Sequence, residues 1–330
     1  MKSVLIVGDL HLSDKFRGQH KDYYVNCLEV MEMIEQKCIS LAEKGDVYLI
    51  FLGDLFGVSE KRFTTRFFMI QVVEWFARLN DLCTEVMTVK GNHDISHSDL
   101  PDYEVLLRLG CFTNPEYFDW ESLGSNSGIR FHFVNYGDEK RPLELHPEWG
   151  NIVLAHNDFG GHGGYQSEDT VVPVNELSHW ADVNMVISGH IHTPSVDSWL
   201  TLPSHNATLP LIYVGCPTRV KERIDDVLTV VFETPIDDSS ESSIGYSVDE
   251  FGLKPAAEEF IEKEDSVESG VTLDPEIERL RLESLKGIVG SLKQRDMNST
   301  NLLQMIEART DITDRVKKIS IDLLTECLEG

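Results

Sequence analysis

Short apolar runs recur between residues 3 and 233, and most of them end at glycine or at a polar side chain. The runs are SVLIVG (3–8), DVYLIFLG (46–53), EVMTVKG (85–91), IRFHFVN (129–135), NIVLAH (151–156), VNMVISG (183–189), LIYVG (211–215) and VLTVVFE (227–233). Their length and their content of valine, isoleucine and phenylalanine predict buried β-strands. A chain that repeats such strands must build a sheet and cover both of its faces.

Helical periodicity lies between the first strands. Apolar residues at three- and four-residue spacing predict one helix from Tyr24 to Leu41, ending near Gly45, and a second from about 64 to 79. Strands that alternate with helices indicate a layered α/β domain. The later strands follow one another more closely, which predicts some antiparallel pairing. We therefore assign residues 1–233 to one α/β domain with mixed sheets sandwiched by helices.

The composition changes after residue 233. Residues 235–270 contain eleven acidic residues and two lysines, interspersed with serine, glycine and proline. We interpret 234–272 as an acidic linker or a reduced capping segment. Helical periodicity returns in 273–330, which predicts a C-terminal helical appendage. These helices either pack on the core or dock a partner, and an acidic arm that tethers amphipathic helices favours docking.

Charge and cysteine usage restrict the class of protein. The 330 residues carry a formal net charge of −27, which argues against tight autonomous binding to polyanions. The six cysteines are scattered, and no pair has metal-site or redox spacing, as is typical of a protein in a reducing cytoplasm. Asp9 interrupts the N-terminal apolar run, which favours a first strand over a signal peptide. No apolar run approaches the roughly 20 residues that a membrane-spanning helix needs.

Five predicted strand ends carry carboxylate, amide or imidazole groups. The residues are Asp9, His11, Asp54, Asn92, His156, His190 and His192. Ligands of α/β sheets bind beyond the carboxyl ends of strands, so we expect these side chains to converge. Imidazole with carboxylate favours manganese, iron or zinc, and seven ligands suit two ions, with Asp54 as the predicted bridge. Taken singly, each residue has an alternative interpretation as a turn former, a helix cap or a satisfied histidine.

The five motifs that carry these residues resemble those of a known family. In order they are GDLHL (8–12), GDLF (53–56), GNHD (91–94), AHND (155–158) and GHIHTP (189–194), and as a set they resemble the signature motifs of the calcineurin-like metallophosphoesterases. Within that superfamily, GHIHTP followed by LIYVGCPTRV resembles the nuclease subunit of the SbcC–SbcD DNA repair complex. The resemblance covers about residues 3–233. It implies a layered metallophosphoesterase fold and a dimetal phosphodiesterase that cleaves DNA as an exonuclease, an endonuclease or both.

The resemblance also implies a role for each site residue. One metal ion is expected to bind Asp9, His11, Asp54 and His192, and the other to bind Asp54, Asn92, His156 and His190. His93 is expected to contact the scissile phosphate and to protonate or stabilise the leaving oxygen, while Asp94 orients its imidazole. Two divalent ions, with Mn²⁺ as the expected metal, would convert a shared water into the attacking hydroxide.

DNA and protein partners follow from the same resemblance. It implies DNA repair, recombination or replication, an SbcC-like ATPase subunit bound through residues 273–330, and a homodimer through 64–109, where burial within a monomer is the alternative. Basic residues follow three strand ends and predict a rim that guides the phosphate backbone, with solvated helix starts as the alternative. The set is Lys15, Arg17, Lys21, Lys61, Arg62, Arg66, Arg219, Lys221 and Arg223, with Lys15, Arg17, Lys61, Arg62 and Arg219 as DNA-contact candidates.

Three other functions compete with the DNA nuclease. A small-molecule or cyclic-nucleotide phosphodiesterase of the same superfamily would use the same metal ligands. A non-catalytic scaffold that recruits an ATPase to DNA would be expected to lose ligands, yet all are present. A protein phosphatase is disfavoured, because those enzymes have GDxxDRG whereas Asp54 is followed by LFGVS. The family's usual DNA-contacting cap has no full counterpart, because residues 235–272 are too short and too acidic.

Overall fold

Two β-sheets form the framework of the protein. The computed structural model describes residues 1–14, 23–57, 65–95, 101–121, 128–159, 171–202, 207–218, 226–233 and 245–252. The elements are β1 (Lys2–Val7), α1 (Tyr23–Ala42), β2 (Asp46–Phe51), α2 (Arg66–Leu82), β3 (Glu85–Thr88), α3 (Asp102–Arg108), β4 (Tyr117–Glu121), β5 (Gly128–Val134), β6 (Gly150–His156), β7 (Asp158–Phe159), β8 (Val171–Val172), two 3-10 helices (Val174–Glu176 and Ser178–Trp180), β9 (Met185–Gly189), β10 (Ser195–Leu202), β11 (Ala207–Tyr213), β12 (Asp226–Glu233) and β13 (Gly245–Gly252). Every described residue belongs to one compact unit, Met1–Glu264.

The first sheet has the strand order β13-β12-β1-β2-β3. Its three N-terminal strands β1, β2 and β3 are parallel to one another. Strand β12 pairs antiparallel with β1 on one side and with β13 on the other. Strand β1 is apolar on both faces because both faces are covered. Leu5 and Val7 face helices, whereas Val4 and Ile6 face the second sheet.

The second sheet has the order β10-β11-β9-β6-β5-β4. Strands β5, β6, β9 and β11 are parallel, and the edge strands β4 and β10 pair antiparallel with their neighbours. Phe131, Ile152 and Ile187 face the first sheet and share one buried cluster with Val4 and Ile6. The two sheets therefore pack face to face, and the carboxyl ends of both sets of parallel strands deliver the polar motifs.

Helices α1 and α2 cover the outer face of the first sheet. Buried residues of α1 and α2, among them Ile34 and Trp75, pack with Leu5 and Val7 in a second cluster. The indole of Trp75 donates a hydrogen bond to the carbonyl of Met31 on α1 (3.0 Å). On the outer face of the second sheet, a third cluster includes side chains from the two 3-10 helices. The layers are helix, sheet, sheet and a thinner outer covering.

The predicted α/β architecture is confirmed by this arrangement. All eight predicted strands are present, and both predicted helices are present with ends within a few residues. The structure adds α3, β4, β10 and β13, which sequence analysis did not predict. Strand β13 occupies Gly245–Gly252, inside the segment interpreted as an acidic linker or reduced cap, and pairs with β12 along its whole length. The predicted C-terminal helices lie outside the described residues. Within the described part of the chain, no helix has the length and apolarity needed to cross a membrane.

Candidate metal centre

The strand ends of both sheets meet at one edge. Asp9, His11 and Asp54 follow β1 and β2 of the first sheet, whereas His156 ends β6 of the second sheet. These four residues are at most 1% exposed and form the floor of the site. Asn92, His93, His190 and His192 are half-buried and form its upper part. The predicted convergence of five strand ends therefore holds in the structure.

One group of donor atoms surrounds His11. Its Nε2 lies 3.0 Å from Nε2 of His192 and 3.6 Å from Oδ2 of Asp54. Nε2 of His192 lies 3.8 Å from Oδ2 of Asp9. These are the four residues predicted to hold the first ion, and their donor atoms face one another.

A second group surrounds the side-chain oxygen of Asn92. Oδ1 of Asn92 lies 3.0 Å from Nε2 of His156 and 3.1 Å from Nδ1 of His190. Nε2 of His156 also lies 3.2 Å from Oδ2 of Asp54. The same oxygen of Asp54 thus belongs to both groups, as expected for the predicted bridging carboxylate.

Three of these residues have an unusual backbone conformation. His11 and Asp54 have φ of 46°, and His190 has φ of 72°. Residues other than glycine rarely adopt positive φ, and such conformations cluster at functional sites where the surroundings enforce them. The backbone N–H of His11 donates to the carbonyl of Asp54 (2.8 Å), which ties the first two motif loops together.

Two motif glycines leave room for the donor groups. A Cβ at Gly189 would overlap the Asp9 carboxylate and would lie 2.7 Å from the carbonyl oxygen of Leu52 and 3.0 Å from Nδ1 of His156. A Cβ at Gly91 would overlap both the carboxylate and the backbone nitrogen of Asp54. Glycine is required at both positions because the backbone passes directly against the site.

The buried carboxylates and imidazoles shift one another's pKa. Burial raises the pKa of Asp9 to about 7, with His156 opposing the shift. Burial also acts to raise the pKa of Asp54, but the imidazole of His156 and two further histidines hold the pKa of Asp54 well below its usual range. Burial acts against the charged form of His156, yet Asp54 and Asp9 together raise its pKa to about 10. Burial and the charge on His156 lower the pKa of His190 to about 4.

The donor set fits divalent cations. Asp9 and Asp54 are completely buried, and the ion pairs that their side chains form within the described residues are with histidines, not with lysine or arginine. Buried charges need a partner of opposite sign or a metal. Nitrogen and oxygen donors in two groups with one shared carboxylate match a pair of ions of intermediate softness.

Comparison with known proteins places the chain in a family. Residues 2–194 match the sequence profile of the calcineurin-like phosphoesterases. The chain belongs to this family. No curated protein sequence matches it. Solved structures similar to it include a metallophosphoesterase from Sphaerobacter thermophilus (13% identity, TM-score 0.33, covering 76% of this chain and 89% of the other) and Vps29 from Chaetomium thermophilum (11% identity, TM-score 0.28, covering 76% and 97%).

His93 is the most accessible part of the phosphoesterase centre next to the shared carboxylate. Its side chain is 36% exposed, and its Nε2 lies 3.9 Å from Oδ2 of Asp54. Its backbone N–H donates to Oδ1 of Asp54 (2.8 Å), which fixes the loop. An imidazole at the open side of the site can reach a substrate, in line with the predicted role.

Asp94 makes different contacts from those predicted. Its Oδ1 accepts a hydrogen bond from the backbone N–H of Leu55 (3.1 Å), and its Oδ2 accepts one from Gly91 (2.9 Å). Burial and the neighbouring Asp54 raise the pKa of Asp94 to about 8. Asp94 therefore joins the loops after β2 and β3, and its predicted role in orienting the His93 ring stays a prediction.

Sequence analysis overlooked Cys216, which follows β11. One donor atom each from His11, His192 and Cys216 lie within 4.8 Å of one another. The thiol donates to the carbonyl of Thr218 (2.9 Å), and burial raises its pKa. The rule that identified the other candidate ligands, a polar group after a predicted strand, applies equally to the GCPT segment and could have identified Cys216 as a candidate.

The DNA-contact candidates cannot be placed by the structure. Lys15, Arg17, Lys61, Arg62 and Arg219 all lie outside the described residues. The residues beside two of these segments are described, and they meet. The Asp14 carboxylate accepts from the backbone N–H of Thr65 (3.2 Å) and from its hydroxyl. Thr65 in turn caps α2 by accepting from Phe68 N–H (3.3 Å).

Proposed function

We propose that this phosphoesterase is a metal-dependent DNA nuclease that hydrolyses phosphodiester bonds. The family supports hydrolysis of phosphoesters, and DNA is the substrate class that we infer. The observation that carries the proposal is the pair of donor groups that share Asp54, with the imidazole of His93 on their open side. Two-metal sites of this kind suit phosphoryl transfer because both the attacking and the leaving oxygen carry charge.

Each donor has a separate task in the proposed reaction. Divalent ions, when bound, would supply a hydroxide at neutral pH and neutralise charge on the phosphoryl oxygens. Asp54, the most acidic carboxylate of the centre, holds both halves of the site in register. Gly189 and Gly91 keep Asp9 and Asp54 at contact distance from the neighbouring loops. The strained backbone of His11 and His190 fixes their rings before substrate arrives, which reduces the reorganisation needed during reaction.

His93 performs the proton transfer in this scheme. Its half-exposed ring lies beside the shared carboxylate, and although one ring nitrogen lies within 4.8 Å of donor atoms of His11 and Asp54, we assign the ring to substrate and not to a metal ion. The leaving 3′ oxygen of a DNA strand needs a proton or a positive charge as the P–O bond breaks. An imidazole can supply either near neutral pH.

DNA as substrate is supported by where two basic segments begin and end. Segment 15–22 follows Asp14, and segment 58–64 precedes Thr65; Asp14 and Thr65 are hydrogen-bonded to each other. Phe56 and Leu12 also form a β-bridge, so the described residues before both segments lie close to the predicted metal ligands His11 and Asp54. Lysine and arginine in these segments would position a phosphate backbone.

We also propose the partners that the sequence predicts. An SbcC-like ATPase would bind through residues 273–330, and a second copy of the chain would pack through 64–109. A protein with a net charge of −27 needs such help to hold DNA, because its own charge opposes a polyanion. The same charge favours the competing function, a phosphodiesterase for small substrates such as cyclic nucleotides.

One comparison of substrates tests the proposal. The full chain, loaded with Mn²⁺, is incubated with linear DNA, bis-p-nitrophenyl phosphate and a cyclic nucleotide. We expect all phosphodiester cleavage to be lost in Asp54→Asn. We expect DNA cleavage to be weakened and to show a reduced dependence on salt in the double variant Lys61→Glu, Arg62→Glu. Lys44→Glu is the matched charge reversal, because Lys44 precedes β2 at the opposite edge of the sheet. Cleavage of the cyclic nucleotide without cleavage of DNA would establish the competing function.

The partner is tested separately. Deletion of 273–330 should abolish association with the ATPase and leave a folded core that still cleaves bis-p-nitrophenyl phosphate. Retained association after deletion would contradict docking through this segment.

A further inference from the structure

The end of strand β5 also lies beside the candidate metal centre, where it presents an aromatic ring. Strand β5 ends at Val134, and the ring of Tyr136, two residues later, lies with its centroid 6.2 Å from the ring of His190. The two rings are inclined by 40°. Tyr136 is half-buried, so part of its side chain is accessible beside the site.

Hydrogen bonds hold Tyr136 against the loop that carries Asn92 and His93. The backbone N–H of Tyr136 donates to the carbonyl of Lys90 (2.9 Å), and the N–H of Lys90 donates to Oδ1 of Asn135 (2.9 Å). Asn114 donates to the same oxygen of Asn135 (2.9 Å). A residue fixed in this way keeps its distance from the centre constant and can act as a rigid contact for substrate.

The ammonium group of Lys90, on the same loop, interacts with a different aromatic ring. Nζ of Lys90 lies 5.4 Å from the ring centroid of Tyr103, so the ammonium is directed to another aromatic ring. The Lys90 ammonium thus contacts Tyr103, and Tyr136 is the tyrosine whose ring lies beside His190. An aromatic ring at the margin of a phosphodiester site fits a planar, unsaturated group that a sugar connects to the phosphate.

We propose that Tyr136 forms a stacking subsite for the nucleobase adjacent to the scissile phosphate, on the Asn92–His190 side of the centre. This inference rests on the proposed nuclease function. Base–aromatic stacking is independent of sequence, since every base has a π-face, and its removal lowers affinity by roughly tenfold. The subsite would select nucleotidyl esters over alkyl phosphodiesters without selecting a base.

The test compares a base-bearing oligonucleotide with one that has abasic residues around the cleaved bond. Binding is measured by fluorescence anisotropy on the metal-free full chain, and cleavage is measured with Mn²⁺. We expect the wild type to prefer the base-bearing strand by roughly tenfold in both assays. Tyr136→Leu should bring this ratio close to one, and Tyr136→Phe should retain it. Tyr246→Leu, at an exposed tyrosine of β13, is the matched control and should also retain it.

Each other outcome overturns the subsite. If the wild type binds and cleaves the base-bearing and abasic strands equally well, the stacking subsite is wrong, although the proposed DNA cleavage is not contradicted. An equal loss on both strands in Tyr136→Leu shows that the ring only supports His190. If the wild type cleaves bis-p-nitrophenyl phosphate and neither binds nor cleaves either strand, the nuclease function and the subsite both fail.

Discussion

Replacement of Gly189 by alanine tests the geometry of the centre without any assumption about substrate. The new methyl group would lie 2.7 Å from the carbonyl oxygen of Leu52 and 3.0 Å from Nδ1 of His156, and it would overlap the Asp9 carboxylate. Ordinary contacts begin at 3.4 Å. To restore 3.4 Å, the Leu52 backbone would have to move by about 0.7 Å and the His156 ring by about 0.4 Å. Movements of this size are comparable with the roughly 0.5 Å within which a functional site must be held.

The expected cost of Gly189→Ala has two parts. Overpacking of this size destabilises a fold by about 1–3 kcal/mol, which corresponds to a decrease in Tm of roughly 2–12 °C for a unit of this length. Displacement of supporting groups lowers metal affinity by about 10- to 100-fold. Calorimetric titration with Mn²⁺ measures the affinity, and circular dichroism measures the Tm.

A second glycine provides the control. A Cβ at Gly150, at the start of β6, would lie 3.8 Å from its nearest neighbour, so Gly150→Ala should keep both Tm and metal affinity. If folded Gly189→Ala bound Mn²⁺ as tightly as the wild type, Asp9 and His156 could not both be ligands in the arrangement described.

Three further predictions concern the same centre. Asp54→Asn should lower the pKa of His156 from about 10, because Asp54 is the main charge that raises it; an unchanged histidine titration in NMR spectra of the metal-free protein would contradict this. Because the folded-state pKa of His156 is raised to about 10, the ring is protonated at pH 7 and a bound cation must displace that proton. The affinity for Mn²⁺ should therefore rise between pH 6 and 8, by up to about tenfold per pH unit for each proton released. Calorimetry in buffers of different ionisation enthalpy should detect the released protons. Tyr23→Phe removes the hydroxyl that donates to the carbonyl of His11 (2.6 Å) and leaves this buried carbonyl without that hydrogen bond. The free energy of unfolding, measured by denaturant titration, should decrease by about 1–3 kcal/mol. Equal stability would show that water replaces the bond.

The convergence of the predicted metal ligands could be predicted because their signal is local and repeated. Each of the five motifs places its polar residue directly after a buried strand, and parallel strands deliver their ends to one edge. Asp54 was predicted as the shared carboxylate on the basis of its motif alone, and its Oδ2 indeed belongs to both donor groups. The apolar, β-branched strands were found for the same reason, since both of their faces are buried.

The missed features lack such a signal. Strand β10 reads SVDSWLTL and is largely exposed, as expected for an edge strand, so its composition resembles a loop. Strand β13 lies in acidic sequence, and the contacts that hold it, its pairing with β12 and the packing of Val248 on the core, are distant in the chain and leave no local pattern. The contact of Tyr136 with His190 depends on how β5 and β9 are placed in the sheet, which no spacing in the sequence encodes.

The ligands are divided between the two sheets, and this division has a mechanical consequence. Asp9, Asp54 and Asn92 belong to loops of the first sheet, and His156 and His190 to the second. A cation bound by both sets would act as a removable cross-link between the layers, and separating them would require its release. At a free ion concentration of about 100 times Kd, such a cross-link is worth roughly 2.7 kcal/mol. Removal of the cation by a chelator would take away this cross-link at the edge where the carboxyl ends of both sets of parallel strands meet.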